Sequence, residues 1–86
     1  MSNMDLIRKL VKLRQGYKSI LKEFSETTAE KVKTILEAEI ASYIADIELL
    51  FIQMVYRLSQ QIGRVLFTQE ESGILVLYSI AQSLDG

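Results

Sequence analysis

Nothing in this chain of 86 residues obliges a helix to stop: proline is absent and glycine occurs only four times. Proline removes a backbone donor and clashes with the preceding turn, and glycine costs roughly 1 kcal/mol against alanine inside a helix. Their scarcity favours a few long helices, and the apolar spacing agrees. Leu6, Leu10, Leu13, Tyr17, Ile20 and Phe24 alternate steps of four and three, the repeat of a packed helical seam. This spacing predicts a first helix from about residue 4 to 24, in which the seam absorbs the cost of Gly16.

Two capping signatures divide the rest. In "SETTAE", Thr27 stands three residues before Glu30, the spacing of a capping box in which each side chain satisfies an unpaired backbone N–H. In "FTQEES", Thr68 and Glu71 repeat it, and Glu70 adds negative charge at the positive end of the helix dipole. A central helix is therefore expected over about 28–66, with Gly63 its one weak point, and a third over about 69–84. The short apolar run "GILVLYSIA" would also suit a buried strand, but a lone strand would have no partner. The expectation is an all-α chain of three helices with a long central helix, folded as antiparallel helical hairpins within a single domain, residues 1–86, and assembled as an oligomeric helical bundle.

The central helix is the unusual element. Fourteen of the nineteen residues from 40 to 58 are apolar or aromatic, yet Asp46 and Glu48 lie among them. At 100° per residue, Glu39, Ser42, Asp46, Gln53, Arg57, Gln60 and Arg64 fall within a stripe about 60° wide, while apolar residues take most of the remaining circumference. A membrane span has no use for such a stripe, and an aspartate near its middle costs about 2.5 to 3.5 kcal/mol on the insertion scale. No transmembrane span is expected. The helix instead needs cover on more than one side.

A helix of about 39 residues is near 58 Å long, whereas a compact domain of this size has a radius of gyration of about 12 Å. The first helix can lie along its N-terminal half and the third along its C-terminal half, each covering one side. What remains would be an apolar patch of a size that soluble monomers rarely expose. This points to a homo-oligomer, with a dimer favoured, or to association with another protein, with Tyr43, Ile47, Leu50, Phe51, Met54 and Tyr56 as the interface and a coiled-coil-like packing. The blander alternative is a bend near Gly63 and a compact monomeric three-helix bundle. Tyr43, Tyr56 and Tyr78 could anchor an interface or sit in ordinary core.

Glu48 points almost opposite the wet stripe. It either reaches water at the margin of an interface or forms a buried ion pair with Arg14, which interrupts the apolar side of the first helix; such a pair would fix register more than it would add stability.

A domain of this size buries only about 60% of the surface its unfolded chain exposes, so a partner subunit would contribute materially. With no cysteine, neither a disulfide nor thiolate metal ligation can help. Histidine is absent too, so the usual general base, thiol nucleophile and soft metal ligands are all missing, and no glycine-rich phosphate loop is present. Asp46 and Glu48 are two apart on a helix and face different ways, which excludes an acid/base dyad within one chain. No enzyme, cofactor or metal is expected.

Charge is unevenly spread about a net value of −1. Arg8, Lys9, Lys12, Lys18 and Lys22 surround the seam of the first helix and could contact phosphates or an acidic membrane surface. As a solvated face they would equally complement the acidic remainder, and nucleic-acid binders are usually far more basic overall. The opening residues "MSNMDLIRKL" carry no uninterrupted apolar core, so no secretion signal is expected and a cytoplasmic location is the default. The sequence thus predicts a non-enzymatic assembly or adaptor protein; a helical nucleic-acid-binding regulator using its basic first helix is the alternative.

Overall fold

The computed structural model of the chain describes residues 2–64 and 70–86, with the side chains of 70–72 excepted. Three helices account for nearly all of these residues: α1 (Asn3–Glu26), α2 (Glu30–Ile62) and α3 (Glu70–Asp85). The all-α expectation holds, and no helix among the described residues is long and apolar enough to cross a membrane.

α1 begins at a complete capping box. The Ser2 hydroxyl accepts from the Asp5 N–H at 3.1 Å, and the Asp5 carboxylate accepts from the Ser2 N–H at 3.2 Å. Two of the donors that a helix start leaves orphaned are thereby paired. At the other end Thr27 is the C-cap of α1, and its hydroxyl donates back to the Glu23 carbonyl at 2.7 Å. This corrects the expected capping box between Thr27 and Glu30. The N-cap of α2 is Ala29, which has no side chain able to accept, and residues 27–29, extended at Thr27 and Ala29, connect the two helices. α2 starts two residues later than a Thr27 cap would require, so the Thr27 hydroxyl closes α1 instead. The second expected box, Thr68 with Glu71, lies outside the described residues and side chains.

α2 is shorter than 28–66 because Gly63 ends it. Gly63 adopts φ 69°, ψ 24°, the left-handed conformation that closes a helix, and its N–H and that of Arg64 both bond the Ser59 carbonyl. A residue with a Cβ would be strained there by about 1–2 kcal/mol, so glycine acts here as a stop rather than as a tolerated interior weakness.

α1 and α2 form an antiparallel hairpin. Asn3 meets Gln61 at one end at 2.7 Å, and Gly16 lies against the ring of Tyr43 near the middle. α3 packs on both partners. The core lies at the three-helix end and joins Ile7 and Leu10 of α1, Ile47, Leu50, Phe51, Met54 and Leu58 of α2, and Leu77 and Ala81 of α3. Beyond it the hairpin is only two helices thick, and Leu36 is buried separately there. The molecule is accordingly elongated, measuring 50 × 22 × 20 Å with a radius of gyration of 15.4 Å. The 33 residues of α2 supply its length, since at 1.5 Å per residue they span about 50 Å.

Candidate interaction surface

Self-packing uses the face of α2 that carries Ile47, Leu50, Phe51, Met54 and Leu58, all buried in the chain's own core. Four of the expected interface residues, Ile47, Leu50, Phe51 and Met54, therefore present no free surface. Tyr43 is half-buried against Gly16 and the core margin. Tyr56 alone of the six stays exposed. Periodicity showed that these residues share a helix, but not which side of it the rest of the chain covers.

The uncovered side of α2 is where sequence reasoning fell short. Ile35, Leu49, Ile52 and Tyr56 are 60%, 59%, 64% and 67% exposed. Ala38, Ala45 and Ile52 recur every seven residues, as do Ser42, Leu49 and Tyr56, and all six are exposed. A seven-residue repeat keeps side chains on one side of a helix, so these six form a ridge pointing away from the core. The signal was in the sequence: once Ile47, Leu50, Met54 and Leu58 are assigned to the seam with α1, this second heptad series is what remains. Ridge composition changes along the helix, from alanine and serine at 38–45 to Leu49, Ile52 and Tyr56 further on.

The wet stripe borders this ridge on the α1 side and shares Ser42 with it. Glu39, Ser42, Asp46, Gln53 and Gln60 are exposed, and open grooves run beside them; one, of about 560 Å³, is lined by Leu6, Gln53, Tyr56, Arg57, Gln60 and Gln61. Glu48 is exposed and Arg14 half-buried, so of the two alternatives for Glu48 the burial agrees with the one in which it reaches water. On α1, Arg8, Lys9, Lys12, Lys18 and Lys22 are all exposed, and Arg8 pairs with Asp5 at 3.1 Å. At 100° per residue these five spread over about half the circumference of α1 and do not converge.

One polar cluster joins all three helices, and nothing in the sequence announced it. Asn3 is 3% exposed, and its amide is fully engaged. The Nδ2 group donates to Gln61 Oε1 at 2.7 Å and to Asp85 Oδ1 at 3.0 Å, while Oδ1 accepts from Arg57 Nε at 2.8 Å and from Gln61 Nε2 at 3.1 Å. Asp85 Oδ2 also accepts from the Met4 N–H at 2.8 Å. The end of α3 thus places a carboxylate at the positive end of the α1 dipole, where anions are favoured. Among the described residues, no buried side-chain nitrogen or oxygen is left without a partner. Asp5, on the exposed side of the same terminus, is held below the usual carboxylate value, first by the Ser2 N–H that donates to it and then by the Ser2 hydroxyl.

Among the described residues no group of three histidine, cysteine, aspartate or glutamate side chains could hold a metal ion. No protein-family model, no curated protein and no solved structure matches the chain.

Proposed function

We propose that this chain is a non-enzymatic assembly protein, acting through association of the outward ridge of α2 with another polypeptide. The observation that carries this reading is the exposure of Ile35, Leu49, Ile52 and Tyr56 along one side of the longest helix. Isolated apolar side chains on a surface need no explanation, but a continuous apolar ridge rimmed by polar residues is a feature of interaction sites. Tyr56 suits such a role because a tyrosine buries a large rigid ring while keeping a hydroxyl for a polar partner. Sedimentation velocity on the wild type and on Ile52→Glu tests the reading. A wild-type complex, with itself or with a captured protein, that the substitution dissolves while helicity is unchanged supports it; a complex indifferent to Ile52→Glu overturns it.

The exposed lysines of α1 support a second reading, phosphate binding by a helical regulator. Their spread around the helix weighs against a single nucleic-acid groove. A salt titration of DNA and RNA binding separates the two readings, because phosphate contacts weaken steeply with salt.

A further inference from the structure

We infer that the partner of the α2 ridge is a second copy of the same chain, packed antiparallel about a two-fold axis that passes between Leu49 and Ile52. This rests on the reading of the ridge as an association surface and adds the occupant and its direction.

The first argument is shape. In an antiparallel pair with this axis, Leu49 faces the partner's Ile52, and Ala45 faces the partner's Tyr56. Leu49 and Ile52 then pack together at the axis, and the largest ridge side chain, Tyr56, meets the smallest, Ala45, as interdigitating layers require. A parallel pair would set Ala38 on Ala38, Ala45 on Ala45 and Tyr56 on Tyr56, leaving gaps at one end and crowding at the other.

Charge is the second. Between residues 37 and 48 α2 exposes Glu37, Glu39, Asp46 and Glu48, and Arg64 is exposed just past the Gly63 cap. The same axis brings Glu39 to within about 3 Å, along the helix direction, of the level of the partner's Arg64, twice by symmetry. Parallel packing would instead align Glu39 with Glu39 and Asp46 with Asp46, where like charges destabilise.

The third is thickness. Each chain has a three-helix end and a two-helix end. Antiparallel pairing about this axis sets residues 55–62 of the thick end beside residues 46–39 of the partner's thinner half, whereas parallel pairing would leave both thin ends together. About this axis the two copies of α2 overlap over residues 39–62, about 35 Å long and about 10 Å wide, a footprint of roughly 350 Å². Standard stable interfaces bury about 800 Å² per partner, so the expected dimer is one that dissociates on dilution rather than an obligate one.

The chain has no cysteine, so an introduced thiol reports one position only. The experiment combines sedimentation over a dilution series with mild oxidation of Ala45→Cys and Tyr56→Cys proteins, alone and mixed. The expected result is a concentration-dependent dimer, a cross-link between the two variants when mixed, and little from either alone. Glu39→Arg or Arg64→Glu should each shift the equilibrium toward monomer, and the double reversal should restore it. A dimer sensitive to Ile52→Glu in which Ala45→Cys cross-links to itself overturns the antiparallel geometry while leaving the ridge as the association surface. A chain that stays monomeric at all concentrations overturns self-pairing, and the ridge then has to be met by a different protein. A dimer unaffected by Ile52→Glu overturns both the pairing and the reading beneath it.

Discussion

Gly16 of α1 lies under the phenol of Tyr43 of α2: a Cβ placed on Gly16 would stand 2.8 Å from the tyrosine oxygen and 2.9 and 3.0 Å from two ring carbons. The ring can rest against α1 at this point only because Gly16 has no side chain. In an isolated helix Gly→Ala is a gain of about 1 kcal/mol. Here the added methyl must displace a stiff, half-buried ring, and overpacking of this kind costs about 1–3 kcal/mol. Gly16→Ala should therefore destabilise the protein by about 1 kcal/mol net. In the Tyr43→Leu background the sign should reverse, because the ring is gone and helix propensity is what remains. Urea denaturation of the four proteins in this cycle measures the coupling.

The Asn3 cluster should behave as a clasp for the third helix. Asn3→Ala removes four hydrogen bonds at a buried position that joins α1, α2 and α3. Gln61 and Asp85 are exposed enough to turn to water, which moderates the loss, while half-buried Arg57 is less able to do so. A cost of about 2 kcal/mol is expected. Asp85→Ala should cost less in global stability but should speed hydrogen exchange at the Met4 amide, whose acceptor it removes. Unchanged Met4 exchange in Asp85→Ala would show that the carboxylate does not hold the helix start.

How much of this was legible beforehand differs by element. The seam of α1 was plain because Leu6 to Phe24 repeats with helical spacing over about five turns, and the number of helices followed from the scarcity of breakers. The end of α2 was missed because Gly63 in a string of letters does not reveal its φ; only the left-handed backbone separates a C-cap from a tolerated interior glycine. Thr27 was assigned to the wrong helix because a threonine between two helices can bond the turn on either side, and here it bonds Glu23 behind it. Asn3 could not have been found at all. Its partners lie 54, 58 and 82 positions away, and no local pattern encodes them.

Acid should loosen the start of α1. The Ser2 N–H and hydroxyl bonded to Asp5 favour its charged form, so its carboxyl is held below the ordinary value. A group with a depressed folded-state pKa stabilises the fold above its unfolded value and loses that contribution as pH falls through the folded one. The capping box should therefore be intact at neutral pH and lost below the usual carboxylate range. An NMR titration of the Ser2 and Asp5 amides should report a midpoint lower than that of a free aspartate, and Asp5→Asn should abolish it. A midpoint at or above the ordinary aspartate value would contradict the box.

Phe51 and Ile52 are neighbours in sequence with opposite fates, 8% and 64% exposed respectively. Phe51 packs in the cluster that contains Met54, Leu58 and Leu77, so Phe51→Asp puts an unpaired charge into the core of an 86-residue chain. Truncating a buried phenylalanine alone costs about 3–5 kcal/mol, and small domains have little more than that to lose. This variant should unfold, whatever the association state of the wild type. Ile52→Glu removes an apolar side chain from solvent, not from core, and should leave helicity and melting temperature nearly unchanged while reducing association. Circular dichroism and sedimentation on the two variants separate a core residue from a ridge residue. If Phe51→Asp stays folded and merely dissociates, the inward face of α2 is the interface after all; if both variants lose their helicity together, the ridge is not the free surface that its exposure indicates.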